Sequence, residues 1–125
     1  MSQTVVVLGA SPKPDRYSNR AVRMLREYGH RVIPIHPKAE AIEGIPAVPA
    51  LGAVQDAVDT LTVYVGPDKG EAQADGMIRL RPGRVILNPG TESDALQTRL
   101  DAAGIPWEHA CTLVLLQTGQ FEKTS

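Results

Sequence analysis

The segment from residue 9 to residue 19 brings together small residues, two cations and hydroxyl groups. Small residues let a ligand's phosphates approach main-chain N–H groups, and the positive end of a following helix attracts the same anion. Lys13 and Arg16 can neutralise outer phosphate charge. The alternative is that Gly9 only permits a tight turn and that both cations are solvated. Because ligands of open α/β sheets bind where the strand order reverses, we favour an anion-binding loop at Gly9 to Ser11.

A second group of candidate residues, His36-Pro37-Lys38, follows the second apolar run. An NAD site ordinarily has an acidic side chain here, and the G-x-G-x-x-G fingerprint is absent because the next glycine after Gly9 is Gly29. Lys38 suits a phosphate on the adenosine ribose, which NADP and coenzyme A carry and NAD lacks. The alternative is a solvated lysine. The G-x-x-x-x-G-K-[ST] motif is also absent, which disfavours a P-loop NTPase.

The chain has one cysteine, Cys111, and so cannot form an internal disulfide. We expect a buried and inert thiol, because free cysteine is among the most buried residue types. His109 would share a face with Cys111 only if the strand continued through it. Asp56 and Asp59 are interpreted as caps or solvated charges. No G-x-S-x-G, H-E-x-x-H or paired-cysteine motif is present, so no catalytic or metal site is predicted.

Strand-like and helical patterns alternate along the chain. Continuous β-branched runs indicate strands covered on both faces, and apolar residues at helical spacing indicate amphipathic helices. The predicted strands are Thr4–Leu8, Arg31–Ile35, Leu61–Val65, Arg84–Leu87 and Trp107–Ala110, and the predicted helices are Ser18 or Asn19 to Tyr28, Asp68–Leu80 and Ser93–Ala103. Ala39–Asp56 is predicted to be a loop with at most a short helix near Leu51–Val54. Periodicity does not decide between helix and strand for Thr112–Leu116.

This alternation predicts an α/β fold: a Rossmann-like, doubly wound parallel sheet of about five strands in one domain, residues 1–125. We expect the strand order 3-2-1-4-5, with a ligand beyond the carboxyl end of the first strand. The formal net charge of -1 excludes a polybasic nucleic-acid arm, and the apolar runs are too short to cross a membrane. The single cysteine and the lack of a signal-like start predict a cytoplasmic protein.

Several spaced motifs carry a resemblance to a known family. They are Val-Leu-Gly-Ala-Ser ending at Ser11, Lys13-Pro-Asp-Arg16, the stretch Gly29 to Pro37, Gly44, Val58-Asp59, Asn88-Pro-Gly90, Ala103-Gly-Ile105 and Cys111. Together they resemble the small stand-alone coenzyme A-binding proteins, whose domain is related to that of succinyl-CoA synthetase. The resemblance implies that coenzyme A places its diphosphate at Gly9 to Ser11 and its adenosine near His36 to Lys38. The implied contacts are Gly9, Ala10, Ser11, Lys13, Arg16, Tyr17, Ser18, Pro37 and Lys38.

The sequence departs from this family at three places, one of which is Leu87 to Glu92, where the family commonly has a Leu-Gln-x-Gly-like segment. His36-Pro37 stands where the family often has Asn-Pro, and Val65-Gly66 stands where it often has an arginine. The resemblance also places Cys111 near the pantetheine thiol, where an accessible thiolate would form a mixed disulfide. We therefore predict a protein that binds coenzyme A or an acyl-CoA without catalysis of its own, and no nucleic-acid or membrane partner. The alternative is an NADP-linked oxidoreductase that uses Lys38.

Overall fold

The computed structural model describes residues 2–122, which form a central parallel sheet flanked by helices. The strands are β1 (Thr4–Leu8), β2 (Arg31–Ile35), β3 (Ala41–Ile42), β4 (Ile45–Pro46), β5 (Thr60–Val63), β6 (Arg84–Leu87) and β7 (Trp107–His109). The helices are α1 (Tyr17–Glu27), α2 (Pro67–Ala72), α3 (Ala74–Leu80), α4 (Asp94–Ala102) and α5 (Thr112–Gln117), with a 3-10 turn at Leu51–Ala53. The predicted Rossmann-like α/β fold is confirmed.

The predicted strand order 3-2-1-4-5 is wrong. The main sheet has the order β2-β1-β5-β6-β7, so the third long strand pairs with β1 and not with β2. The outer edge of β2 is already occupied, because the Val48 N–H donates to the Pro34 carbonyl at 2.9 Å and the His36 N–H donates to the Val48 carbonyl at 3.0 Å. The chain then crosses to the far side of β1. The reversal of strand order therefore lies between β1 and β5, still at the carboxyl end of β1.

Pro34 removes no hydrogen bond between β2 and β1. The sequence predicted a missing ladder bond or a bulge, but the register runs without interruption, with Val7 opposite Pro34 and Leu8 opposite Ile35. The N–H and C=O of one residue in a parallel strand face the same side, and the Pro34 carbonyl faces Val48 at the outer edge. The missing donor thus falls on the side of an edge strand where proline is tolerated.

Several helices and strands differ from prediction in their bounds. The single helix predicted for Asp68–Leu80 is two helices, α2 and α3, which meet at Gln73. Helix α1 starts at Tyr17, so the predicted capping residues Ser18 and Asn19 lie buried inside its first turn. Thr112–Leu116, left open by periodicity, is helical and forms most of α5. Strand β5 ends at Val63, so the last two predicted strand residues belong to the loop that follows. The fifth strand likewise ends at His109, one residue before its predicted end.

The two faces of the sheet carry separate apolar layers. One face packs Val6, Leu61 and Leu87 against α3, α4 and the 3-10 turn, and the other packs Val7 and Ile86 against α1 and α5. Covering both faces explains why the strands are apolar without alternation. Between residues 2 and 122 no helix is long and apolar enough to cross a membrane.

A buried histidine ties the start of the chain to its end. His30 Nδ1 accepts a hydrogen bond from the Gln3 main-chain N–H at 3.0 Å, and its ring packs on Phe121 with centroids 5.0 Å apart. Arg84, also buried, donates to the Phe121 carbonyl at 2.6 Å and to Thr60 Oγ1 at 2.8 Å. Burial lowers the pKa of His30, although the neighbouring Glu122 carboxylate opposes this change. A neutral imidazole therefore belongs to the folded state.

We predict that acid destabilises the fold through His30. Because its pKa is lowered on folding, the unfolded chain binds a proton more readily, and stability is lost as the pH falls below 6.5, the ordinary value for histidine. His30→Gln should flatten this loss when urea midpoints are compared between pH 8 and pH 5. The control is His109→Gln, because His109 is exposed. Parallel pH profiles for wild type and His30→Gln would contradict the assignment.

Candidate functional site

Two adjoining cavities lie at the carboxyl ends of β1, β5 and β6. The first, here called the loop cavity, has a volume of about 300 Å³. Its lining residues are Gly9, Ser11, Arg16, Tyr17, Ser18, Tyr64, Gly66, Pro89, Gly90 and Thr91. The second, the cysteine cavity, has a volume of about 290 Å³ and is lined by Tyr17, Tyr64, Asn88, Pro89, Cys111 and Leu113. The cavities share Tyr17, Tyr64 and Pro89 and so form one cleft.

The loop cavity begins at a turn that requires glycine. Gly9 has a φ of +87°, which side chains rarely adopt, and an added Cβ would stand 2.8 Å from Val65 Cγ1 and 3.2 Å from the Tyr64 carbonyl carbon. The neighbouring Ala10 is buried in the core and lines neither cavity. The tight-turn interpretation of Gly9 is therefore correct, and it is compatible with the ligand interpretation.

Helix α1 opens onto the loop cavity with its amino end uncapped by any side chain. Arg16 stands at the N-cap position, where it makes no side-chain cap hydrogen bond, and the first turn has no acidic residue. The partial positive charge of an eleven-residue helix is therefore not offset locally. Arg16, Tyr17 and Ser18 all line the cavity. This arrangement can bind an anion.

Asn88 holds the three elements around the cysteine cavity together. This buried side chain donates from Nδ2 to Thr62 Oγ1 at 2.7 Å and to the Val63 carbonyl at 2.9 Å. Its Oδ1 accepts from the Thr112 N–H at 2.9 Å. The ends of β5 and β6 and the start of α5 are thus fixed relative to one another. At the rim, the Gly90 N–H donates to Glu92 Oε1 at 2.9 Å.

Tyr64 lines both cavities. Burial raises the pKa of its phenol well above the ordinary value, and a negative charge on Cys111 would raise it further. Hydrogen bonds from the Thr112 and Thr62 hydroxyls would oppose this rise in pKa. The two hydroxyls instead hydrogen-bond to each other at 2.8 Å, and among residues 2–122 the Tyr64 hydroxyl has no hydrogen-bond partner. Tyr64 is therefore a neutral phenol that shapes the cleft and carries no charge into it.

Cys111 is not fully buried, contrary to prediction. It is half-buried at the N-cap of α5 and lines the cysteine cavity. β7 ends at His109, whose Nε2 lies 2.7 Å from Gln97 Oε1, so His109 and Cys111 do not share a strand face as a catalytic pair would. Asp59 Oδ2 accepts from the Thr4 N–H at 2.8 Å, and Asp56 lies 2.9 Å from Arg31. Both aspartates have structural roles.

Four predicted contacts lie outside both cavities: the buried Ala10 and three exposed residues. Lys13, Pro37 and Lys38 are exposed and line neither of them. His36 Nδ1 accepts from the N–H groups of Lys38 at 3.0 Å and Ala39 at 2.8 Å, which fixes the turn after β2. Since Leu8 pairs with Ile35, this turn is adjacent to the end of β1. A ligand in the loop cavity could therefore reach this turn only with a part that extends beyond the cavity.

Sequence reasoning missed Tyr64, Gly66 and Thr91 as lining residues. Tyr64 and Gly66 follow β5, whose carboxyl end flanks the reversal of strand order, so the position rule alone could have found them. Thr91 follows β6, the next strand in the sheet. A larger cavity of about 490 Å³ lies along the outer edge of β2, and none of the predicted contacts lines it. Within residues 2–122, no group of three or more His, Cys, Asp or Glu side chains could hold a metal ion.

Comparisons with known proteins identify the family and the fold of this chain. Residues 3–117 match the family model described as a CoA binding domain. A solved structure from Thermus thermophilus, cell-free ID.343, shares 33% identity with a TM-score of 0.88, covering 96% of this chain and 91% of its own. A dinucleotide forming acetyl-coenzyme A synthetase from Ca. Korarchaeum cryptofilum, at 24% identity and a TM-score of 0.74, shares the fold over 84% of this chain and 25% of its own.

A curated relative, YneT of Bacillus subtilis (strain 168), is 29% identical over 63 residues, which is 50% of this chain. The match spans 47% of the length of that relative.

Proposed function

Because the chain belongs to the CoA binding domain family, we propose that it binds coenzyme A or an acyl-CoA in the cleft. The observation that carries the proposal is the uncapped amino end of α1, which opens onto a cavity at the strand-order reversal. The protein acts as a binding module without catalysis of its own, in a reducing compartment as its single cysteine predicts. The NADP-linked alternative has no family support.

The diphosphate occupies the loop cavity. Its charge faces the positive end of α1 and the Arg16 guanidinium, and the Ser18 hydroxyl lines the same space. The turn at Gly9 to Ser11 has the small residues that allow main-chain approach. Lys13, exposed on the same loop, adds a screened attraction from outside the cavity.

The pantetheine arm runs from the loop cavity into the cysteine cavity. The two share Tyr17, Tyr64 and Pro89, so a flexible arm can extend from one to the other along these residues. Leu113 and the two tyrosine rings give this part an apolar lining, and Cys111 stands within it. The thiol or thioester end of the ligand therefore lies near Cys111.

The first prediction concerns the diphosphate position. Gly66 lines the loop cavity, has a φ of -65°, and leaves open space where a Cβ would stand, so Gly66→Leu is compatible with the fold and fills the cavity. Titration calorimetry should show coenzyme A affinity reduced about tenfold or more, a loss of about 1.4 kcal/mol. Gly52→Leu, where a Cβ also meets open space, is the matched control and should bind normally.

Thermal unfolding of both variants checks that each is folded. Wild-type protein that binds no coenzyme A would overturn the proposed function itself. If Gly66→Leu is folded and binds coenzyme A with wild-type affinity, the diphosphate does not lie in the loop cavity. We leave Gly9 unchanged in this test because any side chain there collides with Val65.

A second prediction concerns Lys38 and the phosphate on the adenosine ribose. Wild type should bind coenzyme A more tightly than dephospho-coenzyme A, and Lys38→Ala should reduce that preference by about two- to fivefold, as for an exposed ion pair. The effect should shrink in 0.5 M salt because exposed charges are screened. If wild type and Lys38→Ala show the same preference for coenzyme A over dephospho-coenzyme A at low salt, Lys38 does not contact the ribose phosphate.

A third prediction uses Cys111 to locate the thiol end of the ligand. Its thiolate should attack oxidised coenzyme A, forming a Cys111–coenzyme A disulfide and releasing one coenzyme A thiolate. Intact-protein mass spectrometry should show a single adduct that dithiothreitol removes and that Cys111→Ser lacks. Gly66→Leu should slow the reaction, since binding precedes exchange. A protein that binds coenzyme A and forms no adduct would place the thiol elsewhere.

A further inference from the structure

Glu43 adopts a main-chain conformation that disfavours its residue type. It is the first residue of the two-residue turn joining β3 to β4, with a φ of +52°, and Gly44 follows at +75°. Such turns favour Asn, Asp or Gly at this position. A non-glycine residue held in the left-handed region suggests that its side chain has a use.

The Glu43 side chain reaches a buried amide in the first turn of α1. Asn19 is fully buried, and its Nδ2 donates both to Glu43 Oε2 at 3.1 Å and to the Ser11 carbonyl at 2.9 Å. Asn19 Oδ1 accepts from Arg23 Nε at 2.8 Å. Both N–H donors of the amide are therefore used, and one of them secures the loop at Ser11.

The same network reaches the loop at a second point. Arg23 Nη2 donates to the Pro14 carbonyl at 2.8 Å, while Arg26 Nη1 donates to the Glu43 carbonyl at 2.5 Å. Glu43 is thus held by its main chain to α1 and by its carboxylate to Asn19. The hairpin, α1 and the residues between Ser11 and Pro14 form one connected unit.

We infer that Glu43 is a positioning residue, which acts through Asn19 to hold the Ser11–Pro14 loop in the conformation that receives the ligand's diphosphate. This inference rests on the proposed function and adds to it the hairpin β3–β4, which lines neither cavity. A loop ordered before binding loses less conformational freedom when the ligand arrives, so affinity depends on the Glu43 contact. Glu43 itself does not touch the ligand.

Three variants test the inference. Glu43→Gly relaxes the left-handed turn and removes the carboxylate, Glu43→Gln keeps an oxygen that accepts from Asn19, and Glu40→Ala removes an exposed carboxylate from the residue just before β3. Amide hydrogen exchange of residues 10–17 without ligand measures loop order. Calorimetric titration measures coenzyme A affinity, and urea unfolding measures global stability.

In Glu43→Gly we expect the loop amides to exchange their hydrogens about threefold faster or more. We expect its affinity for coenzyme A to fall about three- to tenfold, as for one lost hydrogen bond. Its urea midpoint should be unchanged or higher, because relief of the turn offsets the lost contact. Glu43→Gln and Glu40→Ala should match wild type in exchange and affinity.

Two results would overturn the inference while leaving the proposed function intact. In the first, Glu43→Gly has the same loop hydrogen exchange and the same coenzyme A affinity as wild type. The other is a parallel fall in affinity and urea midpoint that Glu43→Gln does not rescue, which would reflect a general structural role. Absence of coenzyme A binding in wild type would be a failure of the proposed function, recognised before any variant is compared.

Discussion

The close approach of the end of β1 to the chain after β5 is the constraint on which the cleft depends. Only a residue without a Cβ can stand between Leu8 and Ala10 while Val65 Cγ1 lies 2.8 Å from where that Cβ would be. This contact brings Tyr64 to the middle of the cleft and directs the chain from β1 toward α1. The parallel pairing of β1 with β5 produces the approach, and glycine makes it possible.

Most of the fold could be predicted because its signals are local. Buried runs such as Val5–Val7 show a strand with both faces covered. Ser93, predicted to begin a helix, lies at the N-cap of α4, where it accepts from the Leu96 N–H at 3.1 Å. Strand order could not be predicted, since it depends on what occupies the outer edge of β2. The hydrogen bond from Val48 to Pro34 comes from a segment whose prolines and glycines indicate only a loop.

The site was predictable at its centre and less so toward its margins. The turn at Gly9 and the start of α1 carry composition signals, and both line the loop cavity. Tyr64 was hidden because it lies within an apolar run that looks like continued strand. The exposure of Cys111 depends on where β7 stops and α5 starts, and Asn88 holds the start of α5 by accepting a hydrogen bond from the Thr112 N–H. The general preference of free cysteine for burial does not say where these two elements end and begin.

The covered outer edge of β2 has a consequence for assembly. Strand edges with free N–H and C=O groups can recruit a strand from another chain. Here proline lacks the donor at the middle of that edge, and Val48 already takes up the hydrogen-bonding groups next to it. At the opposite margin β7 has only three residues, too few for a long intermolecular ladder. Around Pro34 and His36 the outer edge of β2 is therefore closed to strand addition, and the opposite margin offers another chain only a short strand to pair with.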